Sequence, residues 1–335
     1  MLVIGVSGVT CGVKTTLCNG LIERFKSEGV STQLLSQDDY YLPCEHEALE
    51  PIPQLNHWNY DKPSAVDFDR LLDDIEKAER QAPKVLLLEG NMIFDERRVA
   101  KLCSAKVWLT LEYEECKRRR EQRAYDPPDV PGYFEQFVWP YYVEQEKARQ
   151  LGAAEGEVVE LDGTLPVEEM LRRAYVAIRQ QSSSQWVGLL RQRLPLVDVI
   201  DFVRHSACGA IASFCGTTRD HFQGKHVVRL EYEAYESMAL EEMSSLAGKI
   251  QRQFPAVRRI AILHRLGVVA PTEDSVVIAI SSAHRADAQA ASRLAIDELK
   301  KTVPIWKKEV YSDGSSNWKD NACCAAKGPS KGACG

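Results

Sequence analysis

At 335 residues the chain exceeds one ordinary core and suits two domains. Its 44% hydrophobic and 27% charged content is that of a globular protein, and a formal net charge of -6 supplies no basic field for nucleic acid. No run of about 18 apolar residues occurs, and the opening MLVIGVSG has no charged region before its apolar residues, so neither a membrane span nor a signal peptide is expected.

Residues 1–178 alternate strand-like and helix-like segments. LVIGV, TQLLS, KVLLLEG and KVWLTL are short apolar runs suited to buried parallel strands, with helical stretches such as AVDFDRLLDDIEKAER between them. This alternation predicts a doubly wound α/β domain. RQQSSSQW breaks the composition, so residues 179–195 are expected to form a linker. Residues 196–320 then read as an α+β domain with helices on one sheet. AIASFCGTT, VVRLEYEAY, RIAILHRLG and SVVIAISSA are its strands, and SMALEEMSSLAGKIQRQF and ADAQAASRLAIDELKK its helices. The small, polar residues 321–335 are expected to be a flexible tail. Ten cysteines without a C-x-x-C pair suit reduced, mostly buried thiols in a cytoplasmic protein better than a structural zinc site.

The first functional motif is GVTCGVKTT, Gly8 to Thr16, between a strand and a helix. Such a loop cradles phosphates with backbone N–H groups at a helix N-terminus. Gly8, Lys14 and Thr15 have the P-loop spacing, but Val13 stands before the lysine and the glycine falls one position early, at Gly12. Either Val13 keeps a glycine's backbone conformation under strain, or the loop shifts so that Gly12 takes it. Lys14 is expected to reach a transferring phosphate, and Thr15 to hold Mg²⁺. SQDDYY ends a strand with Asp38 and Asp39, LLLEG ends another with Glu89, and KRRREQR is a candidate lid, although alone such a run is usually a solvated helix face.

These residues, with NYD and EECKRRREQRAYDPPDVPGYFEQFVWPYY, resemble nicotinamide riboside kinase, a relative of uridine kinase. The resemblance covers about residues 1–175 and implies a P-loop kinase-like fold that uses ATP and Mg²⁺ to phosphorylate a nucleoside hydroxyl. It implies Asp39 as general base and Thr15 and Glu89 on the Mg²⁺ side. Tyr60 and Tyr125 would stack on the base, Asp61 would bind ribose hydroxyls, and Arg119, Arg120 and Arg123 would form the lid.

In the second half, CGTTRDHFQGK places Arg219 after a strand. SSAHRADAQAA places His284 and Arg285 at a helix start, with Ser281 and Ser282 as candidate caps. DELKKTVPIWKKE puts Lys300 near that helix's end and Lys307 in a following strand, and ILHRLG adds His264 and Arg265. Strand and helix ends are where sites gather.

GAIASFCGTTRDHFQGK, LEYEAYESMA, HRLG, SSAHRA and VPIWKKE together resemble the large, catalytic subunit of molybdopterin synthase, from about Leu196 to Lys319. The resemblance implies conversion of cyclic pyranopterin monophosphate (precursor Z) to molybdopterin. Sulfur would come from the thiocarboxylated C-terminal Gly-Gly of a small ubiquitin-like subunit, in a heterotetramer built on a dimer of large subunits. Because this sequence ends KGACG, a separate sulfur donor is expected. Lys300 and Lys307 would be catalytic, and Arg219, His284 and Arg285 would hold phosphate and pterin in one cationic pocket. Sulfur transfer itself is expected to need no cofactor. The alternatives are a main activity as nucleoside kinase, or a degenerate nucleotide-binding module in the N-terminal half.

Overall fold

A computed structural model describes residues 1–319 apart from 45, 126–127, 152–156 and 223. The tail expected at 321–335 lies outside the described residues. The chain divides into two compact units, Met1–Ser182 and Ser183–Gly335.

The first unit begins with β1 (Leu2–Gly8), apolar and buried along nearly its whole length as an interior parallel strand must be. Then follow α1 (Lys14–Ser27), β2 (Thr32–Ser36), a small hairpin of β3 (Glu50–Ile52) and β4 (His57–Asn59), and α2 (Phe68–Gln81). The unit continues with β5 (Val85–Glu89), α3 (Arg97–Leu102), β6 (Ala105–Thr110), α4 (Tyr113–Glu121), α5 (Trp139–Gln150), β7 (Val158–Asp162) and α6 (Val167–Ser182). The main sheet has the order β2-β5-β1-β6-β7 and is wholly parallel. Helix α2 shows how sequence sets such an element. Asp67 caps it by accepting from the Arg70 N–H, Leu71, Ile75 and Ala78 form its buried stripe, and Ala82 ends it in the left-handed conformation. The predicted doubly wound arrangement is present. Its edge strand β7, VVELD, escaped the sequence reading because it is half-exposed and acidic.

The second unit contains β8 (Gln185–Leu190), α7 (Leu196–Val203), β9 (Ala210–Thr217), β10 (His221–Phe222), β11 (Lys225–Ala234) and α8 (Glu236–Gln253). It continues with β12 (Val257–Arg265), β13 (Gly267–Val269), β14 (Asp274–Ser282), α9 (Arg285–Thr302), β15 (Ile305–Tyr311) and β16 (Ser316–Lys319). The architecture is α+β, but its strands form two sheets instead of the one expected. One has the order β8-β12-β14-β9, and the other β10-β11-β15-β16 with β13 on β11. β14 is buried from its second residue onward, whereas β15 alternates, with Ile305, Glu309 and Tyr311 inward. That difference separates a covered sheet from one with a solvated face. The core joins Leu230, Tyr232 and Ile305 of the second sheet to Ile260, Ile262 and Ile278 of the first, and to Met243, Ala291 and Ala295 of α8 and α9.

The linker expected at 179–195 is largely folded. Residues through Ser182 close α6, and β8 runs parallel to β12. The serines that suggested a linker are punctuation. Ser182 Oγ donates to Ile178 O (2.6 Å), and Ser183 Oγ accepts from Gln185 N (3.0 Å). Trp186 is 1% exposed and meets Phe202 of α7 edge-on at 5.5 Å.

Helix α9 positions the second unit's candidate residues. Its buried face is Ala288, Ala291, Ser292, Ala295, Ile296 and Leu299, small enough to lie against β9 and β14. No helix among the described residues is long and apolar enough to cross a membrane.

Trp186→Ala should cost about 3–5 kcal/mol in urea unfolding of the full chain. A tryptophan in a true linker would cost no more than about 0.5 kcal/mol.

Candidate functional sites

At the carboxyl ends of β1, β2 and β5, where ligands gather in open α/β sheets, lies a cavity of about 890 Å³. GVTCGVKTT wraps one side of it. Gly8 has φ 121°, and a Cβ there would stand 2.1 Å from Leu109 O, so this glycine lets the loop leave the sheet against β6. Lys14 is half-buried, and its Nζ donates to Val9 O (2.8 Å) and Gly8 O (3.3 Å). Burial pulls its pKa down, while Asp38 and Glu89 oppose that. Thr15 Oγ1 and Ser36 Oγ each donate to Glu89 Oε1 at 3.1 Å, and Glu89 Oε2 is buried without a hydrogen-bond partner. A hydroxyl beside a carboxylate with an orphaned oxygen is a donor set that fits Mg²⁺.

Val13 sits at φ 60°, ψ 28°, and Cys11 at φ 57°. Gly12 is not among the positive-φ residues, so the loop has not shifted. Val13 holds the glycine conformation under strain of about 1–3 kcal/mol.

The cavity distinguishes two neighbouring carboxylates. Asp38 lines it and stands 3.8 Å from Arg123, whereas Asp39 is exposed outside it, its carbonyl accepting from Arg70. The four-residue 3-10 turn Gln37–Tyr40 makes the difference, because neighbouring residues there face different ways. Tyr125 lies on the phosphate-loop side, its hydroxyl 3.3 Å from Cys11 Sγ and its ring beneath Arg120 (4.5 Å) and Arg123 (5.2 Å). Tyr60 lines the same cavity, beside His57 and Tyr41. Asp61 is buried in the wall, where it accepts from Tyr133 Oη (3.0 Å) and Asn91 Nδ2 (3.3 Å), and burial pushes its pKa up. His57, Asn91 and Tyr133 were not singled out from sequence. The three lid arginines line the cavity on different terms. Arg119 donates to Gly163 O (3.1 Å), Arg120 forks onto Asp129 (2.5 and 3.0 Å), and Arg123 is the exposed one.

In the second unit, α9 divides the expected cluster. His284 is its N-cap, Arg285 opens it, and both are exposed. Lys300 stands in its last turn. Fifteen residues at about 1.5 Å rise place Arg285 and Lys300 about 22 Å apart, so one chain does not gather all five cations into one pocket. Arg219 lies toward the Lys300 end. Thr217 pairs with Asp274 and Ala210 with Ser282, and α9 starts beyond Ser282 and packs back along β9 and β14. Ser281 and Ser282 are not helix caps. Both are buried in β14, and Ser281 Oγ accepts from Arg259 N (3.2 Å).

Lys307 shares a strand face with Ile305, Glu309 and Tyr311, as the two-residue strand period requires. Its Nζ is 3.4 Å from the carboxylate of buried Glu309, an anion that complements the ammonium. Opposite Lys307 is buried Tyr232, whose ring meets His264 edge-on at 4.9 Å. His264 is a core histidine. Burial pushes its pKa down to about 4, and its Nδ1 contacts Arg265 O (2.8 Å). Arg265 pairs with Glu273 (3.0 Å). Glu309 and Tyr311 were missed from sequence, although Lys307, Glu309 and Tyr311 alternate along one strand.

Comparison with known proteins locates these features. A model of the MoaE protein family matches residues 189–302. Molybdopterin synthase catalytic subunit 1 of Aedes aegypti is 50% identical over 142 residues, which are 42% of this chain and 92% of that protein. A molybdopterin synthase structure from Staphylococcus aureus is 34% identical, with a TM-score of 0.38 over 39% of this chain and 94% of its own. A gluconokinase structure from Sinorhizobium meliloti is 16% identical, with a TM-score of 0.34 over 53% of this chain and 91% of its own. With half of all positions shared along nearly the whole of the mosquito protein, this chain belongs to the family of molybdopterin synthase catalytic subunits.

Proposed function

We propose that the second unit is the catalytic subunit of a molybdopterin synthase. It moves sulfur from the thiocarboxylated tail of a small ubiquitin-like partner onto the cyclic pyranopterin monophosphate. The observation that carries this reading is the near-complete overlap with a catalytic subunit; the register of β9 on β14 and the return of α9 along them support a site that takes Arg219 with Lys300, and Lys307 follows α9 on β15. Both the phosphate and the incoming tail are anions, and cations complement them. Arg219, exposed on its loop, is placed to clamp phosphate in a bidentate fork. Lys300 and Lys307 serve as proton donors and acceptors, or as the amine of a transient adduct.

His284 and Arg285 enter this site from a second copy of the chain. Their distance from Lys300 along α9 supports that arrangement, since a dimer lets the start of one α9 approach the end of the other.

The first unit supports a second reading, ATP-dependent phosphorylation of a nucleoside such as nicotinamide riboside. The orphaned oxygen of Glu89 beside Thr15 favours it. With Mg²⁺ held by Thr15 and Glu89, the ion would neutralise phosphate charge. The chain's own residues would do the rest, Lys14 binding phosphate, Asp38 accepting the hydroxyl proton, and Asp61 and Tyr60 holding the sugar and base.

Lys300→Ala or Lys307→Ala should each lower turnover of the pyranopterin by about 100-fold or more in the full chain supplied with thiocarboxylated partner. Wild-type rates in both variants would remove the lysines from the chemistry. When Lys307→Ala and Arg285→Ala chains are mixed, exchanged dimers should regain turnover that neither parent shows. No regain despite exchange would contradict a shared site. For the first unit, phosphorylation of nicotinamide riboside should be lost in Lys14→Ala and raised about 10-fold or more in Val13→Gly. An unchanged rate in Val13→Gly would mean that the strained loop does not limit the reaction.

A further inference from the structure

The face of β15 that carries Lys307 also carries Glu309 and Tyr311. Glu309 is 3% exposed, and a carboxylate that deep needs partners for its charge. One oxygen, Oε2, accepts from Tyr311 Oη at 2.7 Å, and the other, Oε1, is 3.4 Å from Lys307 Nζ. Tyr311 is buried, and Lys225 Nζ lies 5.1 Å over its ring. Lys225 is in turn held by Asp313 at 3.1 Å. The phenol thus has a fixed ring and one hydroxyl, spent on the carboxylate that faces the lysine. Its pKa is pushed up to about 12, chiefly by that hydrogen bond, so it remains a donor through the neutral range.

Lysine side chains are flexible, with roughly 2 kcal/mol of rotamer entropy, and an ammonium that must meet a reacting atom gains from being held. Lys307 has 25% of its side chain exposed, the exposure of a group at the edge of a site. Lys308, one residue on, points to the opposite face, where it pairs with Glu231 at 3.4 Å and stands 6.0 Å over Trp318. The two adjacent lysines therefore have different environments, and of the two only Lys307 has its carboxylate fixed from behind by a buried hydroxyl.

We propose that Tyr311 is a positioning residue for sulfur transfer: through Glu309 it sets where the Lys307 ammonium stands. The proposal rests on the reading of Lys307 as catalytic. Tyr311 touches neither substrate nor partner and acts by fixing the carboxylate, as the third member of a catalytic triad orients its base.

The test uses the full chain with thiocarboxylated partner and the pyranopterin, comparing Lys307→Ala, Glu309→Gln, Tyr311→Phe and the Glu309→Gln, Tyr311→Phe double variant. Tyr311→Phe keeps the ring under Lys225 and deletes the hydroxyl alone. It should lower kcat about 10-fold and leave KM within about twofold, because a misplaced group costs rate more than binding. Glu309→Gln should cost at least as much. The double variant should be no worse than Glu309→Gln alone, since a relay through one carboxylate has nothing further to lose. If Lys307→Ala is inactive while Tyr311→Phe turns over at the wild-type rate, the relay is overturned and the lysine reading survives. If the two single losses add in the double variant, Tyr311 acts through the fold and not through Glu309, which also overturns it. If Lys307→Ala retains the wild-type rate, the underlying reading falls and takes the relay with it.

Discussion

The length of one helix governs what the second unit can do. Helix α9 is 18 residues long, its alanine-rich face lies on β9 and β14, and it carries candidate cations at both ends. The rise per residue is a property of the backbone and does not yield to side-chain chemistry. Cations about 22 Å apart cannot serve one small anion within one chain. A site that needs both must be shared between copies, and a site within one copy must do with Arg219, Lys300 and Lys307. Small residues at Ala288, Ala291 and Ala295 keep the helix close to the sheet, so its two ends stay registered to the strand ends beneath them.

The two proposed sites would meet anions in different ways. Under the proposed reading, the first would rely on backbone N–H groups, a helix terminus and one half-buried lysine, a design that tolerates little movement of the loop. Val13 loads that loop with strain, yet Lys14, Thr15 and Glu89 keep a coherent geometry around it. Strain of about 1–3 kcal/mol is comparable to a 10- to 100-fold change in a rate, so Val13→Gly is the substitution that reads what the valine costs under the proposed kinase reading. The second would rely on side-chain cations at strand and helix ends, where charge is supplied without special backbone angles.

Much of this was legible in the sequence. Strands β1, β2, β5 and β6 are apolar runs, α8 and α9 are long periodic stretches, and the phosphate loop announces itself by spacing. Other features were hidden for physical reasons. A serine cluster reads the same whether it closes a helix or opens a linker, so β8 was lost until Trp186 was seen buried against Phe202. Asp38 and Asp39 are adjacent, and only the 3-10 turn decides which one faces the cavity. The division of the five cations followed from helix length, but the position of Arg219 needed the register of β9 on β14. Tyr311 lies four residues past Lys307, and its role depends on a strand face that periodicity suggests and a hydrogen bond that only coordinates reveal.

The central claim is that the second unit delivers sulfur to a pyranopterin. The most direct measurement supplies the full chain with the cyclic monophosphate and a thiocarboxylated partner, and counts free partner carboxylate against dithiolene product. Product should form with two partner tails consumed for each dithiolene. Tight partner binding without any product, or tail hydrolysis with no sulfur on the pterin, would contradict it.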